Sequence, residues 1–500
     1  MSKFKLPDDL YPYQKEDADK IANGKNFLNF SEMGVGKTPE ALWVAESNGF
    51  KHVLIVCPNS LRLEWRRQIE DWIGDGITAI SHNDSYYKLE PIVRAFLKDE
   101  EKKYCVINYE TFRSKQCVDI LNALPFDFII FDEIHKIRNP KTKQVQGDLN
   151  KLTREYEGGL WGFLEENKEV KTLGLSGSPI MNYPNDLYVP LSVVDRVKYP
   201  RKTQPWKYFM YEYCNWSDGR YGPYIYGTRQ MDKLRRETAP YIIRRSKADV
   251  LPYLPEKVYR RVQLEMEPEQ KKLYKEMEEN LKILLDTGEP LWAPSVLAAL
   301  TRLRQLNLDP HILGVSAPSA KTDFIRDTID STNEKIVIFS CFEGYIHWLH
   351  MILEKDNINH VVITGKVPAD QRSSIVKKFQ EDPDVRVCLG TVQSMGEGIT
   401  LTAASNVILV DRWWNEPTNQ QSIDRLHRIG QKNSVQVILP ICMDSVDQTL
   451  DSILQRKYES SKEYYQEQSV IREVIEQRGL PLKPRQRETS KALIPWQEDY

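Results

Sequence analysis

The sequence predicts an α/β protein with two parallel-sheet domains and a mainly helical insertion between them. Two zones of the chain each alternate short β-branched, apolar segments with helix-like stretches. Such near-continuous apolar strands are typical of parallel sheets that are covered by helices on both faces. From about residue 190 to residue 320 this alternation gives way to aromatic, basic and long charged helical stretches. A chain of 500 residues is long enough for two sheets and an insertion.

Each zone contains five candidate strands. Those of the first zone are FLNF (27–30), HVLIVCP (52–58), YCVINY (104–109), FDFIIFDE (126–133) and TLGLSGSP (172–179). Those of the second zone are KIVIFS (335–340), HVVITG (360–365), VRVCLGT (385–391), NVILVD (406–411) and VQVILPI (435–441). Because helical segments separate consecutive strands, each set is expected to form its own parallel sheet.

The domain limits follow from these changes of pattern. We expect a first α/β domain over 1–195, an insertion and linker over 196–320, a second α/β domain over 321–455, and a C-terminal helix with a weakly ordered tail over 456–500. The insertion contains the charged helical stretch EPEQKKLYKEMEENLKILLD (267–286), and we expect it to span the two domains.

The composition indicates a soluble globular protein and argues against several other classes. Apolar residues make up 41% and charged residues 28%, and 69 Lys plus Arg nearly balance 71 Asp plus Glu. A nucleic-acid partner would therefore need a local basic surface. The sequence has no apolar run long enough for a membrane span and no apolar signal segment. Seven scattered cysteines without a CxxC pair indicate a reduced intracellular protein.

The segment SEMGVGKT (31–38) predicts a phosphate-binding loop. It follows the first strand and opens a helix, which is the context that a P-loop requires. Backbone N–H groups around Gly34, Val35 and Gly36 can surround an anion at the helix N-terminus. Lys37 can reach the β- and γ-phosphates of ATP, and Thr38 can bind Mg²⁺. The alternative is a glycine-rich turn without a ligand.

A pair of carboxylates, Asp132 and Glu133, ends the apolar strand in IIFDEIH (129–135). Ligands of parallel sheets bind at the carboxyl ends of the strands. Asp132 can hold Mg²⁺, and Glu133 can orient and deprotonate the attacking water. The alternative is an ordinary strand-to-loop transition with acidic residues. The P-loop earlier in the same domain argues against this alternative.

The second domain offers two arginines in QSIDRLHRIGQK (421–432). If this segment is a helix, Arg425 and Arg428 lie on one face, one turn apart. The first domain has a P-loop but no obvious arginine for the transferred phosphoryl group, and the second has arginines but no P-loop. We therefore expect ATP between the domains, with hydrolysis gated by their closure. The alternative is a solvated helix face.

These motifs resemble, in order, those of the superfamily 2 helicase-like translocases and, within them, the SNF2 family. The matching segments are LYPYQKEDADKI (10–21), SEMGVGKT, VLIVCPNSLRLEWRRQIEDW (53–72), INYETFR (107–113), DEIHKIRNP (132–140), LSGSPIMN (175–182), YIIRRSKADVLPYLPEK (241–257), KIVIFSCF (335–342), GTVQSMGEGITLTAAS (390–405) and DRWWNEPTNQQSIDRLHRIGQ (411–431). The segment YEYCNW (211–216) looks most like the annealing-helicase, fork-remodelling branch.

The resemblance implies two RecA-like lobes that use ATP and Mg²⁺. It implies that Gln14 reads adenine, that Gly398 binds nucleotide, and that Gln421 belongs to the catalytic residues. Three departures from the family pattern are Ser31 at the first P-loop position, Glu416 before Pro417, and SGSP (176–179) in place of TGTP. None removes a reacting group, so we expect an active ATPase.

The resemblance also implies phosphate contacts to duplex DNA from both lobes. The candidates are Ser60, Arg62, Tyr109 and Thr111 in the first lobe, and Thr364, Gly365, Thr391 and Ser394 in the second. Small hydroxyls and backbone amides bind phosphates without reading sequence. Arg244 and Arg245 join them as part of a basic window, 233–247, which holds six Lys or Arg and one acid, Glu237. A helix face paired with nearby acids explains this window about equally well.

An aromatic cluster precedes that window. Its members are Trp206, Tyr208, Phe209, Tyr211, Tyr213 and Trp216. They could stack on unpaired bases at a junction, although a core role is favoured for such clusters.

We therefore predict a DNA-dependent ATPase that translocates on duplex or branched DNA, meets single-stranded DNA at junctions, and remodels forks by branch migration, regression or annealing. Two alternatives are an ATPase that recycles a stalled polymerase and a nucleotide-gated DNA-binding module with little turnover. Intact Lys37, Glu133 and Arg428 argue against the module. With no chromodomain, bromodomain or histone-reading tail, we expect a compact bacterial or viral member in the cytoplasm, or a nuclear protein if the source is eukaryotic.

Overall fold

The computed structural model describes residues 4–24, 26–74, 77–82, 87–97, 102–149, 156–180, 183–219, 222–280, 282–284, 290–292, 295–394, 399–460 and 467–480. Within these residues, two separate parallel sheets account for most of the strands. We call the unit around the first sheet lobe 1 and the unit around the second sheet lobe 2.

Lobe 1 contains the elements up to residue 194. Its strands are β1 Phe27–Asn29, β2 His52–Cys57, β3 Ile77–Ile80, β4 Lys103–Asn108, β5 Phe128–Asp132, β6 Asp148–Leu149, β7 Tyr156–Glu157 and β8 Lys171–Leu175. Its helices are α1 Pro12–Asn23, α2 Lys37–Ser47, α3 Arg62–Trp72, α4 Glu90–Phe96, α5 Lys115–Asn122, α6 Lys143–Gln146, α7 Gly159–Glu166 and α8 Tyr188–Val194.

The insertion is less helical than the sequence predicts, because its described residues contain six strands as well as helices. Its strands are β9 Cys214–Gly219, β10 Gly222–Thr228, β11 Ile242–Ile243, β12 Lys257–Leu264, β13 Lys282–Leu284 and β14 Pro290–Trp292. Its helices are α9 Thr203–Tyr213, α10 Met231–Thr238, α11 Lys247–Val250, α12 Pro268–Asn280 and α13 Val296–Leu308. β9 and β10 form an antiparallel hairpin, as do β13 and β14, whereas β11 and β12 join the two large sheets.

Lobe 2 follows the insertion. Its strands are β15 Ile336–Ser340, β16 His360–Ile363, β17 Val387–Thr391, β18 Asn406–Leu409 and β19 Val435–Cys442. Its helices, with those of the C-terminal region, are α14 Ala320–Asp330, α15 Glu343–Lys355, α16 Ala369–Glu381, α17 Glu416–Ile423, α18 Val446–Ser460 and α19 Glu467–Arg478.

The sheet of lobe 1 has the strand order β11-β1-β8-β5-β2-β4-β3 in the described part of the chain, and its neighbours pair in parallel. Alternate residues of one strand enter different apolar cores: Leu54 and Val56 of β2 enter one, and Val53 and Ile55 enter another. Because side chains alternate along a strand, the two cores lie on opposite faces of the sheet. This two-sided burial explains why the strands read as continuous apolar runs.

The sheet of lobe 2 has the order β12-β19-β18-β15-β17-β16 over the described residues and is also parallel. Val337 and Phe339 of β15 face one core, whereas Ile336 and Ile338 face another. The molecule therefore consists of two α/β lobes with RecA-like architecture, as the sequence predicts. The ten predicted strands correspond to β1, β2, β4, β5, β8 and β15 to β19.

Three strands of the large sheets were not predicted: β3, β11 and β12. β12 is an edge strand whose residues 258–261 are exposed, so it has no continuous apolar pattern. Among the helices of the described ranges, none is long and apolar enough to cross a bilayer. The predicted C-terminal helix corresponds to α18 and α19, whereas residues 481–500, the expected weakly ordered tail, lie outside the described residues.

Candidate active site between the two lobes

The P-loop connects β1 to α2 through two glycines in the left-handed region. Gly34 has a φ of 81° and Gly36 a φ of 80°, a conformation that glycine adopts without steric cost. A Cβ added to Gly36 would lie 2.3 Å from Nε2 of Gln14, so the site also requires glycine for space. The ammonium group of Lys37 donates to the carbonyl oxygens of Ser31 (2.7 Å) and Glu32 (2.9 Å). Burial lowers the pKa of Lys37.

Gln14 supports the P-loop directly. Its amide nitrogen donates to the carbonyl oxygens of Gly36 (2.9 Å) and Val35 (3.3 Å), and its Oε1 accepts from the backbone N–H of Tyr11 (2.8 Å). The Tyr13 hydroxyl donates to the same Val35 carbonyl at 2.7 Å. Gln14 is 2% exposed. Its polar atoms are thus engaged with backbone groups in this structure, and adenine reading by Gln14 stays a prediction.

The two carboxylates at the end of β5 are held differently. Asp132 Oδ2 accepts from the indole N–H of Trp65 (2.9 Å), and the backbone carbonyl of Asp132 accepts from the Tyr109 hydroxyl (2.7 Å). Glu133 follows with a φ of 50°, in the left-handed region that few residues other than glycine adopt. Burial and the neighbouring charge of Glu133 raise the pKa of Asp132.

Glu133 belongs to a chain of polar contacts that reaches β8. Its Oε2 lies 3.3 Å from Nδ1 of His135, and the same nitrogen lies 3.0 Å from the hydroxyl oxygen of Ser176. Burial opposes ionisation of Glu133, but the contact with His135 holds its pKa below the usual value. The Glu133 carboxylate is therefore ionised at neutral pH and lies beside His135, a position from which it can orient a water molecule by accepting its hydrogen bond.

The arginine segment departs from the prediction of one helix over 421–432. α17 begins earlier, capped by Asn415, whose side chain accepts from the N–H of Thr418 (2.9 Å), and it ends at Ile423. Arg425 and Arg428 therefore lie in the turns that follow the helix. The reason is tertiary: the backbone carbonyl of Arg425 accepts from the N–H of Leu401 (2.9 Å), which fixes this segment to the preceding loop.

Both arginines nevertheless reach the P-loop side. Arg428 donates to the Thr400 hydroxyl (2.7 Å) and the Ile399 carbonyl (3.2 Å). A Cβ added to Gly34 would lie 2.7 Å from Cβ of Arg428, so the two lobes touch at this glycine. Arg425 is 4% exposed. Burial and the neighbouring Arg425 lower the pKa of Arg428 to about 10, so its guanidinium remains charged at neutral pH.

One cleft of about 430 Å³ brings these groups together. Residues of both lobes line it: Gly34, Gly36, Lys37, Thr38, Asp132 and Glu133 from lobe 1, and Thr400, Arg425 and Arg428 from lobe 2. The donor set fits MgATP, because backbone amides and cations suit phosphates, and carboxylate and hydroxyl oxygens suit Mg²⁺.

For the two remaining residues that were predicted to act at the nucleotide site, the described part of the chain shows no contact with the cleft. Gln421 is half-buried in α17 and does not line the cleft. Gly398 lies outside the described residues.

The lobe 1 residues predicted to bind DNA are mostly engaged inside the lobe. Arg62 is 6% exposed and donates to the hydroxyl of Ser81 (3.2 Å) and to its carbonyl oxygen. Tyr109 is 2% exposed, with its hydroxyl on the Asp132 carbonyl, and Thr111 is 1% exposed. Ser60 differs, because it is half-buried rather than buried and lines a cleft between the lobes. Ser60 therefore remains the accessible member of this set.

The lobe 2 candidates gather at the carboxyl ends of β16 and β17. The Thr391 hydroxyl donates to the Ser394 hydroxyl (2.6 Å), and the latter donates to the Ile363 carbonyl (2.9 Å). Thr364 is 8% exposed, whereas the neighbouring Gly365 faces open space. The sequence thus identified a group of residues that the fold does bring together.

A second cleft of about 650 Å³ adjoins the first and shares Glu64, Arg67, Asp71 and Thr400 with it. Its walls come from α3 of lobe 1, with Ser60 at one end, and from α16 of lobe 2, with Arg372 and Lys377. The charged residues that line this groove are three cations, Arg67, Arg372 and Lys377, and three acids, Glu64, Asp71 and Glu381. Arg67 pairs with Glu64 at 2.7 Å.

The residues of the basic window, 233–247, lie in different environments. Arg244 is exposed, whereas Arg245 is half-buried and binds Asp17 through Nη2 (2.6 Å) and Nε (3.0 Å). A DNA contact by either arginine stays a prediction. Lys233 pairs with Glu212 and Glu237, as in the alternative of a paired helix face.

Most of the aromatic cluster belongs to the core. Phe209 is 6% and Tyr213 2% exposed, and Trp206 packs against the lobe 1 core. Tyr208, in contrast, is 62% exposed.

Sequence reasoning missed several residues of the site. Trp65 and His135 hold the two carboxylates, and Thr400 holds Arg428. All three lie inside motifs that the sequence analysis quoted, but their roles depend on which side chains the fold brings within hydrogen-bond distance.

A P-loop and paired carboxylates in one RecA-like lobe, with arginines from a second, define a two-lobed helicase-type ATPase. The SNF2-related domain model matches residues 19–312, more than half of the chain, and the helicase conserved C-terminal domain model matches residues 320–430. The chain therefore belongs to the SNF2 family of ATP-hydrolysing, helicase-like enzymes.

Individual relatives are distant but cover most of the chain. The DNA annealing helicase and endonuclease ZRANB3 of Bos taurus is 25% identical over 468 residues, covering 91% of this chain and 40% of that protein. An ATP-dependent helicase of Mycoplasma pneumoniae, described as uncharacterized, is 27% identical over 447 residues, covering 86% of this chain and 39% of that protein. The chain thus spans about two fifths of the length of these curated relatives.

Among solved structures, the chain is similar to an ATPase core over most of its length. The SWI2/SNF2 ATPase core of Sulfolobus solfataricus in complex with dsDNA is 24% identical, covers 92% of this chain and 93% of that chain, and has a TM-score of 0.39.

Proposed function

We propose that the protein is a DNA-dependent ATPase that translocates on duplex DNA and remodels forks or junctions. The observation that carries this proposal is the cleft in which lobe 1 contributes the P-loop and carboxylates, and lobe 2 contributes Arg425 and Arg428. An ATP site divided between two lobes makes turnover depend on their relative position, and it can therefore couple hydrolysis to movement along a strand.

Each residue of the cleft has a role in the proposed reaction. The P-loop amides and Lys37 bind the β- and γ-phosphates, and Thr38 and Asp132 would hold Mg²⁺, which when bound neutralises charge on the phosphate oxygens. Glu133, fixed by His135, orients the attacking water and accepts its proton. Arg425 and Arg428 stabilise charge on the transferred phosphoryl group.

Two observations support DNA as the partner. Cations of both lobes, Arg67, Arg372 and Lys377, line the groove that adjoins the nucleotide cleft together with an equal number of acids, and hydroxyl groups gather beyond β16 and β17. Duplex tracking needs such contacts, because phosphates are recognised by cations, hydroxyls and amides. The fork-remodelling part rests on the relatives, since ZRANB3 is described as a DNA annealing helicase and matches 91% of this chain.

An ATPase titration with DNA of different structure tests the proposal. The full chain is assayed without DNA and with single-stranded, duplex, forked and four-way DNA of equal nucleotide content, and movement of labelled forks is followed in parallel. We expect at least about tenfold stimulation by duplex, greater stimulation by branched DNA, and ATP-dependent fork regression. Equal turnover on linear and branched DNA without junction movement would reject fork remodelling, and turnover indifferent to DNA would reject the whole proposal.

A further inference from the structure

The segment 242–257 joins the two sheets by consecutive strands. Ile242 and Ile243 form β11, which pairs in parallel with β1 next to the P-loop. Lys257 then begins β12, which pairs with β19 of lobe 2. The residues between these strands are therefore fixed to a different lobe at each end.

The first half of this segment is bonded to the start of the P-loop. The backbone N–H of Arg245 donates to the Ser31 hydroxyl (3.0 Å), and its carbonyl accepts from the N–H of Glu32 (2.9 Å). The backbone N–H of Lys247 donates to a carboxylate oxygen of Glu32 (3.0 Å). Ser31 and Glu32 are also the residues whose carbonyls hold Lys37. The backbone at Lys247 is thus fixed relative to the phosphate-binding lysine.

The side chain of Lys247 contacts lobe 2. Its ammonium nitrogen lies 2.8 Å from Oδ1 of Asp424 and donates to the His427 carbonyl at 2.6 Å. His427 Nε2 in turn donates to the Pro255 carbonyl at 2.7 Å. Lys247 is 6% exposed. Asp424 and His427 flank Arg425 in sequence and precede Arg428, so these contacts fix the backbone that carries both arginines.

We propose that Lys247 is a positioning residue of the ATPase reaction, which ties the P-loop to the turn 424–428 and so sets Arg425 and Arg428 opposite the phosphates. This inference rests on the proposed sharing of the ATP site between the lobes. Lys247 itself does not line the nucleotide cleft. Its effect passes through the lobe 2 backbone, and it should therefore change the rate of hydrolysis more than the binding of nucleotide.

Lys257 provides a matched control within the same cluster. Its ammonium nitrogen also lies 2.8 Å from Oδ1 of Asp424, but Lys257 belongs to β12 in the sheet of lobe 2. Removing either lysine leaves Asp424 with one cationic partner. The two substitutions therefore alter the local charge equally, while only the loss of Lys247 cuts a connection between the lobes.

The test compares Lys247→Met with Lys257→Met in the full chain. Methionine keeps the unbranched stem and removes the ammonium group. We expect Lys247→Met to lower kcat of DNA-stimulated hydrolysis at least tenfold, with KM for ATP within threefold of the unsubstituted protein and a thermal unfolding midpoint close to that of Lys257→Met. We expect Lys257→Met to keep kcat within threefold.

Arg428→Ala, assayed in parallel, separates the two proposals. If Arg428→Ala loses turnover but the two lysine variants have equal kcat, the connection through Lys247 is wrong and the shared site stands. If KM rises while kcat is kept in Lys247→Met, a positioning role is likewise wrong. Full turnover by Arg428→Ala would overturn the shared site and the inference that rests on it.

Discussion

Glu133 occupies a left-handed backbone position at the end of β5, with its carboxylate against His135 and beside Asp132. Glu133→Gln keeps the size of the side chain but removes the group that accepts a proton. We expect ATP affinity within about threefold of the unsubstituted protein, and turnover lower by roughly 10²–10⁴ because general-base catalysis is lost. Nucleotide titration and single-turnover hydrolysis with duplex DNA measure the two effects. Glu166→Gln on the exposed surface of α7 is the control, and similar turnover in both variants would contradict the role of Glu133.

Arg428 is the second residue whose substitution should have a large effect on turnover, because it lies between Thr400 of its own lobe and Gly34 of the other. Arg428→Ala should leave ATP binding largely intact, since Lys37 and the P-loop remain, and should lower turnover by roughly 10³–10⁵. Arg428→Lys should not restore it, because an ammonium cannot reproduce the planar guanidinium fork. Lys432→Ala removes an exposed cation from the same segment and should be harmless. An Arg428→Lys enzyme at full rate would show that the fork is not needed.

At the scale of single elements, the helix α9 carries aromatic residues in two different environments, which the sequence alone does not distinguish. Trp206 faces the core, whereas Tyr208 on the same helix faces solvent. Trp206→Ala should lower stability on the order of 3 kcal/mol and reduce every activity together. Tyr208→Ala should leave the unfolding midpoint nearly unchanged. If Tyr208 stacks on unpaired bases, worth about 1–3 kcal/mol each, its loss should reduce fork regression more than ATPase on linear duplex. Equal losses in both assays would exclude stacking by Tyr208.

The elements also show which parts of the sequence are informative. Ten buried strands were predictable because two-sided burial requires continuous apolar residues. β12 was missed because Val258 and Arg260 are exposed at an edge. The end of α17 at Ile423 was missed because contacts with the loop before it, rather than local propensity, decide where that helix stops. The P-loop and carboxylates were predictable from their position at strand ends, whereas Lys247 required knowledge of which lobe each end of its segment joins.

At the scale of the whole molecule, lobe 1 is incomplete without part of the linker. A fragment of residues 1–195 lacks β11 and Arg245, so Asp17, 2% exposed, loses its cationic partner. A fragment of residues 1–250 keeps both. The shorter fragment also lacks Phe209, Tyr213 and Leu234, which pack in the lobe 1 core. Because it loses apolar burial as well as this ion pair, we expect it to unfold at a temperature lower by roughly 5 °C or more. Neither should hydrolyse ATP appreciably, since both lack Arg425 and Arg428. Robust DNA-stimulated hydrolysis by either fragment would show that lobe 1 suffices.

The path of the chain through β11 and β12 also fixes the order in which the lobes can be completed during synthesis. Lobe 1 gains its last strand when residue 243 leaves the ribosome, and it can then close its sheet, since N-terminal domains generally fold first. β12 is made next, but its partner β19 spans residues 435–442 and is made much later. Until then β12 has no neighbour in its own sheet. The exposed cations Arg260 and Arg261 protect such a strand, because charged edges resist pairing with other chains. We therefore expect the nascent protein to carry a closed lobe 1 followed by a charged, unpaired β12 until β19 is translated.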